Sequence, residues 1–235
     1  MKLDVLAVAA HRDDVEITIG GTLIKLVQQG YAVGVLDLTQ GEMGSFGSPA
    51  IREQEAQASA KILGLVWRNN LNLPDSAITN TRENQLKLVK IYREVRPDIL
   101  ILPYWKGRHP DHTITPKLAY EAAYLSGLRK LEVEGEKHRP RKIVYSTAYH
   151  DDKPSFVVDI SAQMDQKLDA LRCYKSQFEL PPGEEIPFTK TDVFEAVRST
   201  NRFYGMMIQK QYGEPYLINE MMEIDDLTQL TVKSI

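Results

Sequence analysis

The chain of 235 residues carries 29 basic and 32 acidic side chains, and a formal charge of -3 gives no electrostatic reason to expect nucleic-acid binding. Its 43% hydrophobic content is ordinary for a globular protein, and its length suits one domain. The single cysteine, Cys173, excludes an intramolecular disulfide, and no apolar run reaches the ~18 residues of a membrane span. The N-terminus has no basic-then-apolar leader, so we expect a cytoplasmic protein.

Strands and helices alternate along the first half of the chain. The pattern predicts strands at 3–10, 31–39, 66–73 and 99–103, and helices at 18–29, 50–63, 82–96 and 113–126, with a glycine-rich loop at 40–49. Gly20 and Gly21 lack the spacing of a dinucleotide fingerprint, so we expect them to allow close helix packing. This alternation predicts an α/β fold with a Rossmann-like, mostly parallel sheet and helices on both faces.

Beyond Arg129 the alternation becomes looser. We expect strands at 142–148 and 155–160 and a helix at 161–176 that Ser161 caps. The proline- and glycine-rich stretch 178–188 is predicted to be a surface loop near the site or in a subunit contact. No linker separates these elements, so residues 1–235 are predicted to form a single domain with a looser C-terminal part.

Two histidine-carboxylate clusters follow predicted strands. The first reads A-H-R-D-D-V-E over residues 10–16, and the second reads R-H-P-D-H over residues 108–112. Parallel sheets bind ligands beyond the carboxyl ends of their strands, so the two loops converge if their strands are neighbours. A hydrolytic zinc site needs nitrogen and carboxylate ligands and a position for water, which His11, His112 and one acid of Asp13–Asp14 supply.

The other side chains of the clusters fit catalytic roles. The acid that does not bind metal can act as a general base, and His109 can protonate a departing amine or stabilise an oxyanion. Asp111 can orient and charge that histidine, as carboxylates do in other hydrolytic sites. Each feature also has a structural interpretation: Asp13 and Asp14 can cap a helix, and His109 with its proline can form a turn. Their joint occurrence at strand ends favours a site.

These motifs resemble those of the PIG-L/LmbE-like family, zinc-dependent enzymes that deacetylate N-acetylglucosamine derivatives. The family motif A-H-P-D-D-x-E matches residues 10–16 except that Arg12 replaces the proline, and H-P-D-H matches 109–112 without change. Proline would stiffen the loop, whereas arginine restores its freedom and adds a cation that we expect beside the metal.

The resemblance implies one role for each motif residue. The metal ligands would be His11, Asp14 and His112, the general base Asp13, and the charged stabiliser and acid His109 paired with Asp111. It also implies one Zn²⁺ per subunit, or another divalent metal such as Fe²⁺. A tyrosine can assist the oxyanion in the family, and Tyr104, Tyr149 and Tyr204 are the candidates here.

Within the family, the segments 37–39 and 176–178 are similar to those of the bacillithiol-pathway enzymes, which hydrolyse N-acetylglucosaminyl-malate. An anionic malate needs a cationic partner, for which Arg52 and Arg108 are candidates and Arg139 a third. The resemblance implies a homo-oligomer, a trimer or a hexamer, without nucleic-acid or membrane partners. Alternatives are deacetylation of other N-acetylglucosamine compounds such as chitin fragments, metal-dependent phosphoester hydrolysis, and a carbohydrate- or nucleotide-binding module without catalysis.

Overall fold

A seven-stranded sheet forms the frame of the computed structural model, which describes residues 1–150, 152–179 and 192–232. The strands are β1 (Val5–Ala9), β2 (Val33–Thr39), β3 (Trp67–Leu73), β4 (Ile99–Pro103), β5 (Lys142–Ser146), β6 (Phe156–Asp159) and β7 (Gly213–Leu217). They lie in the order β3-β2-β1-β4-β5-β7-β6, with β1 to β5 parallel and β7 antiparallel to both neighbours. The predicted α/β fold and mostly parallel sheet are confirmed.

Helices cover both faces of this sheet. They are α1 (Asp14–Gln28), α2 (Pro49–Leu63), α3 (Arg82–Val95), α4 (Pro110–Ser126), α5 (Met164–Leu171), α6 (Lys175–Phe178) and α7 (Val193–Met207), followed by a 3-10 turn at Leu227–Gln229. Successive residues of β1 point to opposite faces: Leu6 and Val8 pack with α3 and α4, while Val5 and Ala7 pack with α1 and α5. None of the helices in the described ranges is long and apolar enough to span a membrane.

Two helices begin earlier than the apolar pattern predicts. Helix α1 begins at Asp14 rather than at residue 18, and α4 begins at Pro110 rather than at residue 113. The polar motif residues in these first turns hide the helical periodicity of the sequence. Both histidine-carboxylate motifs therefore run directly into helix N-termini.

The C-terminal part differs most from the prediction. The helix expected at 161–176 is divided into α5 and α6, and the Ser161 hydroxyl donates to Asp159 Oδ1 at 2.6 Å instead of capping a helix. Helix α7 and strand β7 were not predicted, although α7 is amphipathic; β7 is only five residues long and contains a proline. Most of the predicted loop at 178–188 lies outside the described residues.

A buried ion pair attaches this C-terminal part to α1. Lys167 Nζ lies 2.7 Å from Glu214 Oε1, and the Glu214 carboxylate accepts hydrogen bonds from the backbone amides of Gly21 and Thr22 at 2.9 and 2.7 Å. A Cβ atom at Gly21 would lie 2.7 Å from Ile160. The expectation that the glycine pair permits close packing is therefore confirmed.

Candidate metal centre

The two motifs meet at the point where the strand order of the sheet reverses. Strand β1 lies beside β4 in parallel register, with Val5 opposite Ile99 and Ala7 opposite Ile101. The chain continues from β1 towards β2 on one side and from β4 towards β5 on the other, which opens a crevice at the carboxyl ends of the two central strands. The predicted convergence of the two loops follows from this topology.

Donor atoms of three side chains converge in this crevice. His11 Nδ1 lies 3.1 Å from His112 Nε2 and 3.5 Å from Asp14 Oδ2, and His112 Nε2 lies 3.2 Å from Asp14 Oδ1. A tetrahedral ion with bonds of 2.0–2.1 Å holds neighbouring ligand atoms about 3.3 Å apart. The spacing and the chemistry of these donors fit a divalent metal, and the assignment of His11, Asp14 and His112 as its ligands stays a prediction.

The other nitrogen of His11 faces two carboxylates. Asp75 Oδ1 lies 3.1 Å from His11 Nε2, and Asp111 Oδ2 lies 3.6 Å from the same atom. His11, Asp75 and Asp111 form a second candidate metal cluster. His11, His109 and His112 form a third. We favour the Nδ1 side, because a carboxylate on Nε2 holds a proton there and leaves the Nδ1 lone pair for a metal.

Backbone amides already occupy the two carboxylates on the Nε2 side. Asp75 Oδ2 accepts from the Met43 amide at 2.9 Å. Asp111 accepts from the Ser76 and Ile78 amides at 2.8 and 3.2 Å. Sequence reasoning missed Asp75, although an acid two residues after β3 at the same sheet edge is a signal of the kind that the motifs give.

Burial and neighbouring charges shift the pKa values of the histidines and carboxylates in the cluster. Burial lowers the pKa of His11, but hydrogen bonds with Asp14 and Asp75 outweigh it and raise the pKa to about 11. The hydrogen bond with His11 lowers the pKa of Asp75 to about 2. Burial raises the pKa of Asp14, but His112 and His11 hold it well below its usual value. Metal binding to His11 therefore has to displace a proton.

Asp13, the predicted base, is held by Arg52. It occupies the N-cap position of α1, but its side chain makes no capping hydrogen bond, so the capping interpretation does not hold. Its Oδ2 lies 3.4 Å from Arg52 Nη2, and Arg52 Nη1 donates to the Gly41 carbonyl at 3.2 Å. Arg52 is only 4% exposed, so it orients Asp13 and the glycine-rich loop. Its predicted contact with a substrate carboxylate stays a prediction.

The structure differs from the predicted pairing of His109 with Asp111. His109 Nδ1 accepts a hydrogen bond at 3.2 Å from the backbone amide of Asp111, because His109 caps α4. The Asp111 carboxylate points to the Ser76 and Ile78 amides instead. The His109 ring still lies in the cluster, with its centroid 4.8 Å from that of His11. Burial and the nearby His11 lower the pKa of His109.

A cavity of about 500 Å³ opens beside the cluster and is lined by Asp14, His109 and His112. Arg108 lies exposed in its lining, and within the described ranges its guanidinium has no hydrogen bond or ion pair. Of the candidate tyrosines, Tyr104 and Tyr149 line this cavity. Tyr204 donates to the His150 carbonyl at 3.2 Å and does not line it.

Two predicted cations lie away from the cluster. The Arg12 guanidinium donates to the Pro49 carbonyl at 2.7 Å and pairs with Glu53, so it binds α2 and is not a cation beside the metal. Arg139 stacks 4.7 Å from the Tyr124 ring near the C-terminal end of α4, whereas the second motif is at the N-terminal end. Arg139 is therefore not part of this site.

Comparison with known proteins identifies the family. The family described as PIG-L, GlcNAc-PI de-N-acetylase, matches residues 6–123. This chain belongs to the PIG-L family. It is 33% identical to a diacetylchitobiose deacetylase from Thermococcus kodakarensis, over 89% of this chain and 80% of that protein. The predicted enzyme class, amide hydrolysis by a deacetylase family, is confirmed.

Two further proteins extend the comparison. A probable N-acetyl-alpha-D-glucosaminyl L-malate deacetylase 2 from Bacillus cereus is 28% identical over 76% of this chain and 86% of that protein. The crystal structure of a conserved protein from Thermus thermophilus superposes with a TM-score of 0.86 and 39% identity, over 95% of this chain and 98% of that one. The fold therefore extends along nearly the whole length of a solved relative.

Proposed function

We propose that this protein is a metal-dependent deacetylase that hydrolyses the acetamide group of an N-acetylglucosamine compound. The observation that carries the proposal is the donor triangle of His11, Asp14 and His112, which leaves the neighbouring Asp13 free of the ligand set. Membership of the PIG-L family and the similarity to the Thermococcus and Bacillus enzymes support the same chemistry. We propose Zn²⁺ as the metal, with Fe²⁺ as the alternative.

The residues of the site fit the steps of amide hydrolysis. A bound divalent ion supplies the Lewis acidity that polarises a carbonyl and lowers the pKa of water. Asp13, which Arg52 holds at 3.4 Å, takes the proton of the attacking water. Because the Asp111 amide donates to Nδ1 of His109, the ring is neutral and carries its hydrogen on Nε2, from which it donates a hydrogen bond to the developing oxyanion. The predicted role of His109 as the acid is therefore not supported, and Asp13 passes the proton that it took from the water to the departing amine.

Two substrates fit this proposal. A short chitin oligosaccharide is supported by the higher identity to the diacetylchitobiose deacetylase, 33% against 28% for the malate enzyme. N-Acetylglucosaminyl-malate is supported by Arg108, whose exposed guanidinium in the cavity lining could bind a carboxylate. We propose the chitin oligosaccharide first and the malate conjugate second.

Acetate release tests the proposal. The purified protein is incubated with N-acetylglucosamine, diacetylchitobiose and N-acetylglucosaminyl-malate, before and after chelation and after addition of Zn²⁺ or Fe²⁺. We expect acetate from at least one compound, loss of activity with the chelator and recovery with metal. No acetate from any of the three with any metal would refute the proposed function.

The same experiment separates the alternative functions. Release of phosphate from a model phosphoester, without acetate release, would favour the phosphoesterase. All the candidate metal clusters found in the described ranges contain His11. They therefore give no support to two separate metal ions, which a two-metal phosphoesterase would need. Sugar binding that a chelator does not change, without acetate release, would favour a binding module.

We also propose that the chain forms a homo-oligomer, a trimer or a hexamer, in the cytoplasm. The support is the resemblance to the family alone. Light scattering of the purified protein measures the subunit number, and a monomeric mass would contradict the assembly.

A further inference from the structure

One backbone carbonyl inside the first motif, that of Arg12, accepts hydrogen bonds from two buried side chains. The hydroxyl of Tyr174 and Nη2 of Arg68 both donate to it. This carbonyl belongs to the peptide bond that joins Arg12 to Asp13. Any movement of this peptide therefore moves the proposed base, Asp13.

One of the two donors, Arg68, is itself held by buried acids. Arg68 Nη1 lies 2.7 Å from Glu16 Oε1, and Arg68 Nε lies 2.9 Å from Asp37 Oδ2. The Tyr174 hydroxyl lies 3.1 Å from the same Glu16 oxygen, and Ser59 donates to that oxygen at 2.5 Å. Tyr174 and Glu16 are both 0% exposed. Side chains from α1, β2, β3 and the segment before α6 thus converge on one loop.

The first motif lacks the proline that stiffens this loop in the family pattern. Proline fixes φ of its own residue, whereas arginine leaves it free. The side chain of Arg12 points to α2, so it does not restrain the peptide next to Asp13. The carbonyl of Arg12, held from two sides, restrains this peptide, in addition to the contact of Arg52 with the Asp13 side chain.

We infer that Tyr174 and Arg68 are positioning residues for Asp13, and that they fix the loop by holding the Arg12 carbonyl, with Glu16 and Asp37 as anchors of Arg68. This inference rests on the proposed function, because it assigns the two residues to the base of that reaction. Displacing a catalytic group by about 1 Å can cost about 10²-fold in rate, so loosening the loop should lower turnover.

Tyr174→Phe tests the inference, with Tyr92→Phe as the matched control. Tyr92 is also a fully buried tyrosine whose hydroxyl faces a backbone carbonyl, that of Ala119 at 3.4 Å, away from the site. We expect Tyr174→Phe to lower kcat about tenfold while KM and metal content stay unchanged, and Tyr92→Phe to leave kcat within about twofold. A fall of less than about threefold, an equal fall in the control, or a loss explained by KM or metal content overturns the inference.

A mutant cycle with Arg12→Pro tests the mechanism. The amide of Arg12 donates no hydrogen bond among the described residues, so proline removes none there. We expect Tyr174→Phe to lower kcat less in the Arg12→Pro background, because the ring restrains the loop by itself. Arg12→Ala is the control that removes the guanidinium without adding the ring. If Tyr174→Phe has the same effect in all three backgrounds, the inferred mechanism is wrong.

Hydrogen exchange gives a readout without turnover. The amide of His11 donates to Asp14 Oδ2 at 2.9 Å, and the amide of Asp14 donates to the His11 carbonyl at 3.4 Å, so both report on the loop. We expect faster exchange at these amides in Tyr174→Phe than in Tyr92→Phe, and equal rates overturn the inference. If the wild-type protein releases no acetate from any compound, the proposed function fails. Hydrogen exchange at the His11 and Asp14 amides then still tests whether Tyr174 restrains the loop.

Discussion

Replacing Asp75 with asparagine should weaken metal binding without changing a ligand. Asp75 Oδ1 lies 3.1 Å from His11 Nε2, and its side chain is 5% exposed. Asparagine keeps the shape and one acceptor oxygen but removes the charge that makes His11 a stronger ligand. Loss of such a partner costs about 10–100-fold in metal affinity. That range corresponds to about 1.4–2.7 kcal/mol.

Proton competition acts against this effect. Asp75 also helps to raise the pKa of His11, so Asp75→Asn makes the proton on His11 easier to displace. A divalent ion on Nδ1 places more positive charge near Asp75 than a proton does. The carboxylate therefore stabilises the metal complex more than the imidazolium, and the net effect of Asp75→Asn remains a loss of affinity.

Competition with a chromophoric chelator at fixed pH measures the Zn²⁺ affinity. Asp98→Asn is the matched control. Asp98 pairs with Lys2 and Arg141 at the amino end of β4, whereas the candidate metal centre lies at the carboxyl ends of the strands. We expect the affinity of Asp98→Asn to stay within about twofold of the wild type, well short of the 10–100-fold range. A Zn²⁺ affinity of Asp75→Asn within about threefold of the wild type would show that Asp75 does not support His11.

Four other substitutions give distinct outcomes. Asp13→Ala should keep its metal, measured by elemental analysis, and lose about 10²–10⁴-fold in kcat, whereas His11→Ala should lose the metal; full turnover of Asp13→Ala would exclude it as the base. Arg108→Ala should raise KM about tenfold or more for N-acetylglucosaminyl-malate and leave KM for diacetylchitobiose unchanged, since one charged hydrogen bond is worth about 1.5–3 kcal/mol; equal changes for both compounds would contradict carboxylate binding. Gly21→Ala should lower the free energy of unfolding by about 1–3 kcal/mol in urea titrations, because its Cβ would meet Ile160; an unchanged midpoint would show that Ile160 moves aside at no cost.

The parts of the fold that could be predicted are those that a strong local sequence pattern indicates, such as a continuous apolar run. Strands β1, β2 and β4 are continuous apolar runs, as expected for strands that are buried on both faces of a sheet. In the structure they are adjacent strands in the interior of the sheet. Because the carboxyl ends of parallel strands lie at one edge of a sheet, the sequence predicts that the motifs after β1 and β4 meet if these strands are neighbours, and they are. That reasoning brings His11, His112 and one acid of the Asp13–Asp14 pair together, whereas the choice of Asp14 comes from the resemblance to the family.

The parts that could not be predicted depend on contacts between distant segments. Asp75 is a single acid after a weak edge strand, and only the fold brings it to the imidazole of His11. The pairing of Asp111 with His109 was predicted by analogy with other hydrolytic sites, whereas His109 caps α4 through the backbone amide of Asp111, and the carboxylate contacts the Ser76 and Ile78 amides. Glu214 is buried beneath α1 and accepts a hydrogen bond from the amide of Thr22, which lies 192 positions earlier in the chain. No local sequence pattern indicates such a contact.

The start of both motif helices at the site creates an electrostatic conflict that the acids resolve. The N-termini of α1 and α4 carry partial positive charge, which disfavours a bound cation by about 0.3–1 kcal/mol for each helix. A carboxylate about 4 Å from a charge contributes about 4 kcal/mol at an effective dielectric constant near 20. Asp14 at the metal position and Asp75 behind His11 therefore outweigh both helices. The same helix ends then favour the negative charge that develops on a carbonyl oxygen during hydrolysis, so one crevice can hold a cation and stabilise an anion.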